Sequence, residues 1–135
     1  MHRSNGRLVL LVLLTSTICS DCKYLTDRVT ESVMSPDRKA EAIVVERNVS
    51  AFTDTIYLVY IVKNGSTGCG TPVLAGENFE NLKVVWNKQR VLDVEYSKAV
   101  ISSFRNVWQD PSNSEYIIEI RLRPTTEFPL NSKYL

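Results

Sequence analysis

Thr55 to Lys63 reads TIYLVYIVK. Side chains alternate across a strand, so Ile56, Leu58, Tyr60 and Val62 share one face and Tyr57, Val59 and Ile61 the other. Both faces are apolar, and β-branched and aromatic residues prevail. A strand with one wet face would alternate apolar with polar, so this segment predicts a central strand covered on both sides. That prediction sets the fold class, because a sheet is covered only when another layer packs on it.

The same period of two begins near residue 28 and continues outward from this strand. Lys39 to Arg47 (KAEAIVVER) predicts a second strand. Leu82 to Asn87 (LKVVWN) and Val91 to Tyr96 (VLDVEY) flank a short KQR turn and predict an antiparallel hairpin. Glu115 to Arg123 (EYIIEIRLR) predicts a closing strand, with Tyr116, Ile118, Ile120 and Leu122 inward and Glu119, Arg121 and Arg123 outward; Pro124 ends it. Between Asn64 and Pro72 the glycine-rich NGSTGCGTP predicts a loop that carries Cys69.

Lys98 to Trp108 (KAVISSFRNVW) is ambiguous, because Val100, Phe104 and Val107 recur at helical spacing while the serines and β-branched residues disfavour a helix. It predicts an irregular or extended segment over one end of the sheet, with Phe104 and Trp108 as plugs and a short helix or 3₁₀ turn near residues 98 to 105. The fold expected is all-β, an antiparallel sheet or compact β-sandwich of five to seven strands.

The 135 residues fit one domain, and 44% hydrophobic with 23% charged content excludes both disorder and coiled coil. Ahead of the domain, MHRSNGR precedes an apolar run from Leu8 to Ile18. A positive start followed by a short apolar core has the form of an export signal, and the run is too short to span a bilayer, which takes about 20 apolar residues. The division expected is a signal or membrane-targeting segment at 1–18, an N-terminal arm at 19–34 and a β-rich domain at 35–135. Cys19 stands where a lipoprotein signal places its lipidated cysteine, although Ile18 is large for the position before it; cleavage without lipid and an uncleaved anchor are the alternatives. The protein is therefore expected outside the cytoplasm, held on the membrane by its N-terminus or released to the periplasm.

Without residues 1–18 the formal charge moves from +1 to −1, since Arg3 and Arg7 leave with the signal. Nucleic-acid binding needs clustered basic residues to neutralise phosphates, and no nucleic-acid partner is expected. If Cys19 carries lipid, Cys22 and Cys69 remain as a pair or as two free thiols; a bridge would close a loop of roughly fifty residues and contribute about 4 kcal/mol on the chain-entropy model.

Catalysis narrows by elimination. The single histidine is His2, inside the export segment, so no Ser-His-Asp or Cys-His system and no His-ligated zinc is available to the domain. Asp93 and Glu95 share a strand face and form the one carboxylate pair in which acid and base roles could be divided, the basis of a carboxylate-dependent hydrolase. Glu119 with Arg121, and Glu46 with Arg47, read as surface charge. No catalytic residue, cofactor or metal site is assigned. In NVSAFTD, Phe52 and Asp54 mark a loop able to anchor a partner, which remains unidentified. The functions expected are a non-enzymatic binding module of the cell envelope or, as an alternative, an inhibitor or immunity-type protein that blocks an envelope enzyme.

In SPDRK, Ser35 to Lys39, Pro36 fixes φ and Asp37 can accept from the backbone two residues on. This turn, with CSDCKY at the export site, the LKVVWNKQRVLDVEY hairpin and the closing YIIEIRLRP, resembles a family of small uncharacterised bacterial envelope proteins of lipoprotein type, whose own function is unknown. The resemblance implies an envelope location and no particular chemistry. Two departures stand out. Val49 and Ser50 replace a Cys-Gly of the family, and Arg38 replaces the turn glycine, which argues against a positive φ there.

Overall fold

The computed structural model describes residues 27–48, 50, 54–66 and 68–125. In it the central strand lies where TIYLVYIVK places it. The strands are β1 (Asp27–Met34), β2 (Ala40–Arg47), β3 (Ile56–Lys63), β4 (Leu74–Glu80), β5 (Lys83–Lys88), β6 (Val91–Tyr96), β7 (Lys98–Phe104), β8 (Val107–Asp110) and β9 (Asn113–Pro124), with no helix among the described residues. A five-stranded sheet runs in the order β1-β2-β3-β4-β7, and a four-stranded sheet in the order β5-β6-β9-β8. All pairings are antiparallel except β6 with β9, which is parallel. The all-β sandwich is thus as expected, with more strands than the five to seven anticipated.

The core fills the space between the sheets. Ala40, Ala42 and Val44 of β2 and Val59 and Ile61 of β3 meet Val84, Leu92, Val94, Tyr116, Ile118 and Ile120 of the second sheet. The other face of β2 and β3 buries a separate cluster, Ile43, Val45, Leu58, Tyr60 and Val62. The two-sided apolar pattern of β3 therefore reports two different buried clusters, one on each face.

Both margins of the sandwich are tied. On one, the Trp86 indole Nε1 donates to the Val33 carbonyl at 2.9 Å and joins β5 to β1. On the other, the chain steps from the first sheet to the second at Arg105 and Asn106, where the Arg105 amide donates to Val73 and the Ile120 amide to Asn106, each at 2.8 Å.

Several expectations are corrected. Residues 98–105 hold no helix or 3₁₀ turn: β7 occupies 98–104, because β-branched Val100 and Ile101 find a partner strand in β4. Trp108 packs edge-on against Tyr116 as a plug should, but Phe104 is 37% exposed and plugs nothing. β1 falls inside the stretch assigned to an arm and is the edge strand of the larger sheet. β4 was not anticipated, since LAGENFE is poor in strand-favouring residues. Its Gly76 is required by packing. A Cβ there would lie 2.5 Å from the Val100 carbonyl oxygen and 2.8 Å from the Phe79 ring.

Arg38 has φ +61°, so the turn does adopt the left-handed conformation its side chain disfavours. The β1–β2 turn demands it. The Arg38 amide donates to the Ser35 carbonyl at 2.9 Å, and the Arg38 carbonyl accepts from Asn64 at 2.8 Å.

Candidate functional site

Asp93 is the first group to test. On β6, Leu92 and Val94 point into the core, which sends Asp93 and Glu95 to the outer face of the four-stranded sheet. The register sets Asp93 between Val85 of β5 and Arg121 of β9, and Glu95 between Lys83 and Arg123. Asp93 is nevertheless buried among its partners. Its carboxylate accepts from Arg121 Nε at 2.9 Å and from Asn87 Nδ2 at 2.9 Å, with Arg123 Nε at 3.7 Å. Burial alone would raise its pKa, but the bonds from Asn87 and Arg121 and the charges of Arg121 and Arg123 outweigh it and hold the pKa below the ordinary value. A general acid or base works best when its pKa lies near the operating pH. A carboxylate held ionised by two guanidinium groups is an ion-pair centre instead.

Arg121, grouped in the sequence with Glu119, is thus the partner of Asp93, and Glu46 and Arg47 also form cross-strand pairs. Arg47 grips Asp27 with two bonds, at 2.8 and 3.1 Å, while Glu46 pairs with Arg28. Asp27 has no exposed side-chain surface, so that pair is not surface charge.

A second polar cluster lies at the turn end of β1 and β2. Asp37 Oδ1 accepts from the Lys39 amide at 3.1 Å, the local bond expected of this turn, and from the Ser35 hydroxyl at 2.6 Å. Tyr116 of the opposite sheet donates its hydroxyl to the same carboxylate, at 2.9 Å from Oδ2. Arg90 lies 4.8 Å above the Tyr116 ring and Lys39 5.7 Å from it. Burial, then the bond and charge of Asp37, push the Tyr116 hydroxyl up to about 12. Such a phenol stays protonated at neutral pH and acts as a fixed donor.

Of the partner loop, Phe52 lies outside the described residues. Asp54 is exposed, just before β3, and Thr55 donates to the Asn48 side chain at 2.7 Å across the base of that loop. Cys19 and Cys22 also lie outside the described residues. Cys69 is half-buried against the outer cluster of the first sheet and is a bonded sulfur rather than a free thiol. Among the described residues, no three His, Cys, Asp or Glu side chains gather as metal ligands.

The surface feature that the sequence did not single out is on the outer face of the second sheet. Val107 on β8 and Ile117 on β9 are 47% and 44% exposed. The register pairs Val107 with Glu119 and Gln109 with Ile117, which makes the two apolar residues diagonal neighbours on one face. The alternation of β9 put Ile117 outward, but its neighbour on β8 follows only from the pairing. No known protein family, curated protein or solved structure matches this chain.

Proposed function

We propose that this protein is a non-enzymatic binding module of the bacterial cell envelope, exported by residues 1–18 and held to the membrane through Cys19, with a Cys22–Cys69 bridge fastening the start of the mature chain to the domain. The observation that carries the non-enzymatic part is the state of Asp93, one of the two carboxylates, with Glu95, for which the sequence offered a catalytic role. Asp93 is paired with Arg121, accepts a further bond from Asn87 and is buried among these partners on the outer sheet face. Binding is supported by the exposed pair Val107 and Ile117 beside charge on the same face, Glu119 opposite Val107 and Arg121 next along β9, since apolar residues rimmed by charge are the composition of a partner surface. The loop with Phe52 and Asp54 is the second contact.

The test is chemical crosslinking in the native envelope with the full chain, its Phe52→Ala variant and a Val107→Asp, Ile117→Asp variant. One defined partner captured by the wild type and lost from a variant that still melts cooperatively is the expected result. Identical capture by all three would overturn the binding reading. The intact mass decides the anchor separately: a lipid-sized increment on a chain starting at Cys19 supports it, and an unmodified chain starting elsewhere rejects it.

A further inference from the structure

The end of the sandwich that holds the β1–β2 turn gathers cations that have no carboxylate partner. The two sheets meet there at Tyr116, whose hydroxyl reaches Asp37 of that turn and whose ring lies 4.8 Å from Arg90, in the β5–β6 turn, and 5.7 Å from Lys39. Arg38, Lys39, Lys88 and Arg90 are all exposed, and among the described residues none of the four is in an ion pair. A fifth cation, Lys63 at the end of β3, pairs with Asp110. The carboxylates at this end are engaged: Asp37 by Tyr116 and Ser35, Asp110 by Lys63 and Ser112. Glu41 and Glu115 belong to the outer sheet faces, because Ala40, Ala42 and Tyr116 beside them point into the core.

Arg38 adds an independent observation. Its left-handed backbone is accounted for by the bonds of its amide to Ser35 and of its carbonyl to Asn64, but glycine would make both without the steric cost. Among the described residues nothing bonds the Arg38 guanidinium. An arginine kept in a strained conformation, with no part in the fold, has the character of a ligand-binding residue.

We infer that this end of the sandwich is a docking surface for a carboxylate-rich segment of a partner protein, gripped by Arg38 and Arg90 with Lys39 and Lys88 beside them. Charge complementarity selects the occupant, since the cations concentrate here in a chain whose formal charge is −1 without residues 1–18. Two of the four are arginines, whose planar guanidinium groups receive a carboxylate through two parallel hydrogen bonds. A second copy meeting the same end by two-fold symmetry would set cation against cation. A nucleic acid would need more of them, because its affinity comes from neutralising many phosphates along the strand. Arg90 is held in place beforehand: its carbonyl accepts from the Glu119 amide at 2.9 Å and its guanidinium lies over the Tyr116 ring, so it loses little freedom on binding.

This surface is separate from the pair Val107 and Ile117, and either can lack a partner without the other. Fluorescence anisotropy with a labelled oligoglutamate peptide and the full chain tests it. The wild type should bind, more weakly as salt is raised. Arg38→Gly should weaken binding about tenfold while raising the melting temperature, a combination that a merely structural role would not produce. Arg90→Gln should weaken binding to a similar degree, whereas Lys98→Gln, beside Glu80 at the opposite end of the sandwich, should leave it unchanged. No binding by the wild type, undiminished binding by Arg38→Gly, or an equal loss from Lys98→Gln would overturn the assignment. Phosphatidylglycerol vesicles are the second probe: tighter binding to them than to the peptide, lost in the same variants, would overturn the carboxylate partner in favour of a lipid surface.

Discussion

The Tyr116 hydroxyl of β9 donates to both oxygens of Asp37, at 2.9 and 3.1 Å, and so pins the β1–β2 turn of one sheet to the central region of the other. Asp37 thereby serves twice, closing its own turn through Ser35 and Lys39 and receiving the opposite sheet. Burial would raise its pKa, but these bonds outweigh it and leave the carboxylate below its ordinary value.

Tyr116→Phe should remove this link and leave Asp37 with fewer donors, lowering stability by about 1–3 kcal/mol in a denaturant titration at pH 7. The variant also separates a pH effect. The folded-state pKa of Tyr116 is raised from 10.0 to about 12, so its contribution is complete below pH 10 and is lost as the pH rises towards 12. The wild type should therefore lose stability relative to Tyr116→Phe across that window, by about 2–3 kcal/mol. Parallel alkaline profiles would reject the assignment.

Arg38→Gly should raise stability by about 0.5–1 kcal/mol, because the left-handed backbone at φ +61° costs an L side chain more than the flexibility of glycine costs the unfolded chain. The turn's bonds at this position come from the backbone amide and carbonyl, which the substitution keeps. A lower melting temperature than the wild type would contradict this account.

Gly76→Ala should cost about 2–3 kcal/mol, since the new methyl group meets the Val100 carbonyl and the Ile101 Cα, backbone atoms that cannot rotate away. Urea midpoints measure it. A neutral outcome would mean that β7 shifts freely on β4.

Asp93→Asn tests the acid side. With its folded pKa below the unfolded value, Asp93 contributes stability that is present above about pH 4 and lost as the pH falls through the depressed folded pKa. The variant should be less stable at neutral pH by about 1–2 kcal/mol, the scale of a charge-assisted hydrogen bond. It should also lose less than the wild type between pH 5 and 2. An acid limb as steep as that of the wild type would assign the effect to other carboxylates, Asp37 and Asp110 first.

How far the sequence reaches can be judged residue by residue. TIYLVYIVK determined β3 and its two covered faces, and EYIIEIRLR determined which side chains of β9 point inward, because strand alternation is a local geometric rule. The Ser35–Lys39 turn was likewise legible in its Asp37–Lys39 bond. β4 was not, since its place is fixed by contact with β3 and β7 and by the space that only Gly76 leaves open. Nor was the strained Arg38 conformation, which bonds to Ser35 and to the distant Asn64 hold in place. The pairing of Asp93 with Arg121, and of Asp37 with Tyr116, joins residues far apart in the chain. The parallel β6–β9 register and the stacking of the two sheets decide those contacts. Composition and periodicity say which face a side chain takes, whereas only the packed structure says what stands opposite it.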